Sequence, residues 1–158
     1  MKTIYLDACI LVAYYSKNKE KDKNELIKNC ITILSTLDDI ELCSSSWAVA
    51  EMMNVLISRM QLDRQYVYEC EQELINTKRL GDIKIKFVDV SIKKGYDFTE
   101  FFYDIRKGIL QFHSGVGDII HSVIMNNNNI HTILTFDEKN DFKQIPNLEV
   151  IHPKNVKF

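Results

Sequence analysis

Glycine and proline are scarce in this chain, which has five and two of them among 158 residues. Linkers between domains draw heavily on both residues, so their scarcity argues against a linker within the sequence. The length is also the usual one for a domain built around one hydrophobic core. These features predict a single domain over residues 1–158.

Long apolar runs are missing as well, because none approaches the ~20 residues that a membrane-spanning helix requires. The first residues read directly into a strand, Thr3–Leu6, and leave no room for a signal peptide. No cysteine belongs to a CxxC pair or has a histidine at zinc-finger spacing; the four are Cys9, Cys30, Cys43 and Cys70. Isolated cysteines of this kind are typical of reduced, buried thiols. The sequence therefore predicts a cytoplasmic protein that does not enter a membrane.

The motifs of several enzyme classes are absent too. There is no glycine-rich phosphate loop, no G-x-S-x-G nucleophile elbow, no H-E-x-x-H metalloprotease motif and no EF-hand loop. A basic excess is also lacking, because 20 lysine and arginine residues stand against 22 aspartate and glutamate residues. Domains whose main task is to wrap nucleic acid usually carry such an excess. A nuclease whose acidic residues bind cations is not excluded by this balance.

Predicted strands and helices alternate along the whole chain. The strands are Thr3–Leu6, Glu41–Cys43, Ile83–Val90, Ile130–Thr135 and Glu149–Ile151. The helices are Ala8–Tyr15, Glu25–Leu37, Trp47–Met60, Asp63–Arg79, a long one that begins at Ser91 and carries Phe98 to Ile109, and Asp118–Asn126. Between them, Ser16–Asn24 is predicted to be a loop or a solvated helix start, and Glu138–Phe142 a short turn or helix. This alternation predicts an α/β fold of three layers, with a central, mostly parallel sheet flanked by helices.

Four acidic residues lie beside apolar segments, where an ionised carboxylate is costly unless something neutralises it. Asp7 and Asp137 follow predicted strands, Asp118 opens the last helix, and Glu51 lies inside an apolar helix. In parallel sheets, ligands bind outside the carboxyl ends of the strands. One shared divalent cation, most simply Mg²⁺ or Mn²⁺, would account for all four placements.

Each of these acids also has a purely structural explanation. Asp7, Asp118 and Asp137 can cap the helix or turn that follows them. Glu51 can lie on an exposed polar stripe of its helix together with Asn54. Because all of these explanations must hold at once for the metal site to be absent, we favour the shared cation.

The same acidic residues carry a resemblance to a known family. The chain resembles the PIN domain, a small metal-dependent ribonuclease fold that also forms the toxin of VapBC-type toxin–antitoxin pairs. The resemblance covers nearly the whole chain. Its motifs are Tyr5-Leu6-Asp7, Glu51 in the helix after the second strand, Gly117 to Ser122, and the closing segment Leu134 to Phe142 followed by Pro146 to Val150.

The resemblance implies a Mg²⁺- or Mn²⁺-dependent endoribonuclease that hydrolyses RNA phosphodiesters, and it suggests the toxin of a type II toxin–antitoxin pair. The catalytic and metal-binding residues that it implies are Asp7, Glu51, Asp118 and Asp137, with Thr135, Asp141 and Asn54 as supporting neighbours. Glu51 would be either a metal ligand or the base for the attacking water. The implied partners are an RNA substrate, an antitoxin protein and a second copy of the chain. For that homodimer, the helices Asp22–Leu37 and Trp47–Met60 are the candidate surface.

Some residues depart from the family pattern or have an ordinary explanation. Cys9 stands near Asp7, where many relatives have a hydroxyl or amide residue. His121 lies three residues after Asp118, on a helix face where small residues are common. It could line the site, but we favour an ordinary polar helix residue. The aromatic residues Phe98, Phe101 and Phe102 are expected in the core or an interface rather than stacked on RNA bases.

Two other functions remain open on the sequence. One is a PIN-like scaffold that binds RNA or protein without catalysis. The other is a different metal-dependent phosphohydrolase, acting on DNA ends or on a small phosphoester. Both would use the same fold, so only the geometry and chemistry of the site separate them from a ribonuclease.

Overall fold

Seven strands form a parallel sheet and a small hairpin in the computed structural model, which describes residues 1–137 and 141–156. In chain order they are β1 (Lys2–Leu6), β2 (Ile40–Ser44), β3 (Arg79–Leu80), β4 (Ile83–Lys84), β5 (Lys86–Phe87), β6 (Thr132–Leu134) and β7 (Glu149–Ile151). Five of them make the central sheet in the order β5-β2-β1-β6-β7, and each neighbouring pair runs parallel. The remaining two, β3 and β4, pair with each other in antiparallel fashion.

Six α-helices connect these strands within the described residues. They are α1 (Ala8–Tyr15), α2 (Lys21–Ser35), α3 (Ser46–Ser58), α4 (Arg64–Thr77), α5 (Phe98–Gln111) and α6 (Val116–Asn127). Side chains cap the starts of three of them, α3, α4 and α5. Asp63 Oδ1 accepts the backbone N–H groups of Gln65 and Tyr66 at the start of α4, and Ser45 Oγ accepts that of Ala48 in α3. None of the six is both long and apolar enough to cross a membrane.

Neighbouring side chains of β1 enter two different hydrophobic clusters. Ile4 and Leu6 pack with buried residues of α1 to α4. Tyr5 packs instead with Ile124 and Met125 of α6. Because successive side chains of a strand point to opposite faces of the sheet, the two clusters lie on its two sides. The predicted α/β fold of three layers around a mostly parallel sheet is confirmed.

The prediction of a single strand over Ile83–Val90 is wrong in detail. It is divided between β4, which belongs to the hairpin, and β5, which joins the central sheet beside β2. The division has a local cause, because Gly81 takes the left-handed conformation at φ +63° and turns the chain back on itself. The backbone N–H of Ile85 then donates to the Lys78 carbonyl rather than to a strand of the sheet.

The helix predicted to begin at Ser91 starts seven residues later, at Phe98. Before it, Lys93 and Tyr96 form an isolated antiparallel bridge around Gly95, whose φ is +85°. Asp97 then caps the helix by accepting the backbone N–H groups of Thr99 and Glu100. A left-handed glycine followed by a capping aspartate is therefore the physical boundary of α5.

Other boundaries differ less from the prediction. The segment Ser16–Asn24 holds a 3₁₀ turn, Lys17–Glu20, and α2 already begins at Lys21. Of the predicted turn Glu138–Phe142, residues 138–140 lie outside the described part of the chain. A 3₁₀ turn follows at Phe142–Gln144.

The aromatic side chains of α5 are largely outside the core. Phe98 is 66% exposed and Phe102 is 54% exposed. Phe101 is half-buried and packs its ring against Phe102 at a centroid distance of 5.5 Å. The prediction that Phe98 and Phe102 lie in the core is therefore wrong. The alternative, that they belong to an interface, stays a prediction. The homodimer surface proposed on α2 and α3 likewise stays a prediction.

Candidate metal centre

Carboxylates from both halves of the chain meet at the carboxyl ends of β1 and β6. Asp7 directly follows β1, and its backbone N–H donates to the Leu134 carbonyl at the end of β6. Asp118 lies in the first turn of α6, whose N-terminus is at the same edge of the sheet. The order of the strands explains why these carboxylates come together. The strands β1 and β6 are hydrogen-bonded neighbours although ~130 residues of chain separate them.

Three of the acids are spaced closely enough to bind one ion. Asp118, Asp137 and Asp141 each offer a carboxylate oxygen, and these oxygens all lie within 4.8 Å of one another. All three side chains are half-buried. Carboxylate oxygens are the ligands that Mg²⁺, Mn²⁺ and Ca²⁺ prefer. Asp141, predicted only as a supporting neighbour, therefore belongs to the closest group.

The concentration of negative charge alters the chemistry of Asp118. Burial, and then the charge of Asp7, raise the pKa of the Asp118 carboxyl to about 7, with smaller contributions from Asp141 and Asp137. His121 acts in the opposite direction. A carboxyl group in this position favours its neutral form unless a positive charge is added. The site thus has the electrostatic character of one that attracts a cation.

Thr135 joins the two acids that follow β1 and β6. Its hydroxyl donates to Asp7 Oδ2 at 2.6 Å and accepts the backbone N–H of Asp137 at 3.0 Å. The Cys9 thiol also donates to Asp7 Oδ2, at 3.0 Å. Burial, reinforced by the charge of Asp7, raises the pKa of the Cys9 thiol well above its usual range, so the thiol keeps the proton that it donates. Cys9 thus replaces the hydroxyl or amide residue with another hydrogen-bond donor.

Glu51 is bound by His121, for which the sequence favoured an ordinary polar helix role over one in the site. His121 Nε2 lies 2.6 Å from Glu51 Oε2 and 3.4 Å from Asp7 Oδ1. The histidine side chain is only 1% exposed. The expectation that His121 is an ordinary polar helix residue is therefore wrong. The contacts agree instead with the alternative that His121 lines the site, which its position three residues after Asp118, on the same face of α6, had indicated.

Two further residues of the site were missed. The Tyr5 hydroxyl lies 2.8 Å from His121 Nδ1 and 2.5 Å from Ser45 Oγ. Burial raises the pKa of the Tyr5 hydroxyl well above its usual range, which keeps the phenol neutral and able to donate. A tyrosine in the middle of a buried strand needs a hydrogen-bond partner for its hydroxyl, and this requirement was the available signal.

Gly117 and Asn54 are the remaining residues near Glu51 that the sequence indicated. Gly117 packs so closely on Glu51 that a β-carbon there would collide with Glu51 Oε1. Asn54, predicted as a supporting neighbour of Glu51, is exposed on α3. No hydrogen bond in the described part of the chain joins its side chain to the four acids that the sequence indicated. A role for Asn54 stays a prediction.

No family model and no curated protein matches this sequence. Among solved structures, the chain is similar to the crystal structure of Mycobacterium tuberculosis VapC20, which is described as a sarcin–ricin loop cleaving toxin. The TM-score is 0.60 at 12% sequence identity, and the match covers 89% of this chain and 92% of that chain. At this identity the likeness shows the fold alone. The chain therefore has the PIN-like α/β fold of a VapC protein.

Proposed function

We propose that this chain is a PIN-family endoribonuclease that hydrolyses RNA phosphodiesters with the help of Mg²⁺ or Mn²⁺. The observation that carries the proposal is the grouping of Asp118, Asp137 and Asp141 beside Asp7 at the carboxyl edge of the sheet. The fold that the chain shares with VapC20, a toxin described as cleaving the sarcin–ricin loop, supports RNA as the substrate class.

The residues present fit a hard divalent cation. All donors in the closest group are carboxylate oxygens, and burial together with the charge of Asp7 raises the pKa of Asp118. Asp118, Asp137 and Asp141 would hold the ion, and Asp7 would face it from β1. A bound Mg²⁺ lowers the pKa of a coordinated water and neutralises charge that develops on the phosphate.

The chain's own residues orient these groups. Thr135 fixes the Asp7 carboxylate and the backbone of Asp137, so both acids point from rigid strand ends. His121 holds one oxygen of Glu51. The Glu51 side chain is 30% exposed, so it remains able to meet a water molecule and accept its proton.

The direct test is cleavage of a mixed RNA pool with Mg²⁺, with EDTA, and with EDTA followed by excess Mg²⁺. We expect cleavage only when the free cation is present, because removal of the ion leaves the crowded carboxylates without a counter-charge. DNA of the same sequences is the matched control and should remain intact. RNA binding without cleavage would support a scaffold instead. Activity confined to DNA ends or small phosphoesters would support a different phosphohydrolase.

Mg²⁺ binding should also weaken in acid. Burial and the charge of Asp7 raise the pKa of Asp118 to about 7 in the cation-free chain, so below that pH a proton must leave before this carboxylate can bind. From pH 8 to pH 6 the apparent Mg²⁺ affinity should fall by about tenfold, since pH 6 lies one unit below that pKa. Calorimetric titration in buffers of different ionisation enthalpy measures both the affinity and the released proton. Equal affinity at both pH values, with no proton released, would contradict this assignment.

We further propose that the ribonuclease is the toxin of a type II toxin–antitoxin pair, present as a homodimer and held inactive by an antitoxin protein. The support is the shared fold with VapC20, which is itself described as a toxin. The simplest test of the toxin proposal is to identify the gene that neighbours this one. A short upstream gene for a DNA-binding head and a disordered tail would favour the toxin over an enzyme of general RNA processing.

A further inference from the structure

A histidine side chain lies in the gap between two carboxylates of the site. His121 Nε2 is 2.6 Å from Glu51 Oε2 and 3.4 Å from Asp7 Oδ1. Asp7 and the histidine are both almost fully buried. A cation that bridged these two carboxylates would need the same space, with ligand distances of about 2.1 Å for Mg²⁺. The imidazole edge and a bridging cation therefore exclude one another.

The imidazole ring is held in this position from its far side. The Tyr5 hydroxyl lies 2.8 Å from Nδ1, and Ser45 Oγ lies 2.5 Å from that hydroxyl. Ser45 Oγ in turn accepts the backbone N–H of Ala48 at the start of α3. The Tyr5 and Phe142 rings pack against the imidazole at centroid distances of 5.5 and 6.4 Å. Withdrawal of the ring from the gap would break this whole arrangement.

The direction of the hydrogen bond between His121 Nε2 and Glu51 does not depend on the charge of the ring. If the Tyr5 hydroxyl donates to Nδ1, a neutral His121 carries its proton on Nε2. If the ring is protonated, Nε2 carries a proton as well. In both forms the Nε2–H group donates toward Glu51, and the short Nε2–Oε2 distance is that of a charge-assisted bond.

The other oxygen of Glu51 is also confined. Glu51 Oε1 lies directly against the backbone of α6 at Gly117, where no β-carbon would fit. The carboxylate is thus held between the histidine on one side and the glycine on the other. In contrast, the oxygens of Asp118, Asp137 and Asp141 lie within 4.8 Å of one another.

We propose that His121 takes the place of a second cation, so that the chain binds one divalent ion through Asp118, Asp137 and Asp141, and keeps Glu51 as a proton acceptor rather than a metal ligand. His121 is then a positioning residue that acts through Glu51. The inference rests on the proposed metal-dependent function, and it determines both the number of ions and the role of Glu51, which the sequence leaves open.

The test is the number of Mn²⁺ ions bound per chain, measured by calorimetry and by electron paramagnetic resonance. Wild-type protein should bind one ion and show no spectrum of a coupled ion pair. His121→Ala should bind two, because removal of the ring leaves Asp7 Oδ1 and Glu51 Oε2 facing an open gap. Met125→Ala is the matched control, since it truncates another fully buried side chain of α6. This control should still bind one ion.

Different failures have different meanings in this experiment. Two ions in the wild type, or one ion in a folded His121→Ala variant, would overturn the inference and leave a metal-dependent ribonuclease standing. No ion in the wild type would overturn the proposed metal centre itself. Circular dichroism establishes whether His121→Ala is folded. If it is not, anomalous diffraction from Mn²⁺-soaked wild-type crystals decides: one peak away from Glu51 supports the inference, and a peak between Asp7 and Glu51 overturns it.

Discussion

Replacing Asp118 with asparagine will lower the rate of RNA cleavage by at least about 100-fold, the usual cost of removing one preorganised electrostatic group from an active site. Asparagine has nearly the same shape as aspartate, but it lacks the charge that attracts the cation. Asp118 also lies in the closest group of ligand oxygens, so its loss should weaken Mg²⁺ binding directly. Cleavage rate and Mg²⁺ affinity, measured on the same preparation, check the two effects together.

The same substitution should not destabilise the fold in the absence of metal. The folded chain binds a proton at Asp118 more tightly than the unfolded chain does, because folding raises the pKa of this carboxyl to about 7. The stability that this proton gives is fully present below the ordinary pKa near 4 and is lost as the pH rises through about 7. At pH 8 the ionised carboxylate opposes folding because it is half-buried beside Asp7. A neutral asparagine removes this repulsion. The midpoint of thermal unfolding of Asp118→Asn at pH 8 should therefore equal or exceed that of the wild type.

Glu100→Gln is the matched control for Asp118→Asn. Glu100 is also an acid in the first turn of a helix, but it is exposed on α5. Its change to an amide should leave both cleavage and Mg²⁺ affinity near wild-type values. Wild-type cleavage by Asp118→Asn would contradict the assignment of Asp118. Equal losses in both variants would instead indicate a general dependence on surface charge.

The fold could be predicted because its main signals are local in sequence. Apolar runs such as the one before Asp7, and the helical spacing of the segments between them, are sufficient to indicate alternating strands and helices. The prediction of where α5 begins failed because Gly95 and Asp97 determine the helix start, while the periodic pattern continues through them. Periodicity reports a buried face, but capping and positive φ determine where an element begins.

The site could be predicted only in part, for a different reason. Acids at strand ends are visible in the sequence, and the meeting of Asp7 with Asp118 follows from the order of parallel strands. The bond between Glu51 and His121 joins residues 70 positions apart on two helices, and no local pattern encodes it. The proximity of Asp141 to Asp118 also depends on how the chain returns after β6. Tertiary packing therefore decides which oxygens share an ion and which are bound by a side chain.

Gly117→Ala should lower the rate of RNA cleavage by about 10- to 100-fold while the protein remains folded, the range typical of changes to residues that orient catalytic groups. An alanine β-carbon would collide with Glu51 Oε1. That atom is the end of a flexible side chain, so Glu51 can move aside at little cost to the fold. The movement would break its short bond to His121 and displace the proposed proton acceptor. Single-turnover cleavage and thermal unfolding, measured on the same preparation, check that activity is lost while the fold is kept.

Gly115→Ala is the control that isolates the effect of the collision. A β-carbon at Gly115 would meet Asp118 Oδ2 at 3.9 Å, which is an ordinary van der Waals contact. Gly115 is the N-cap of α6 and Gly117 lies in its first turn, so both variants add a β-carbon at the start of the same helix. Cleavage by Gly115→Ala should stay within about threefold of the wild type, since no catalytic side chain has to move. If Gly117→Ala is equally active, the position of Glu51 is not critical, and its assignment as the proton acceptor fails.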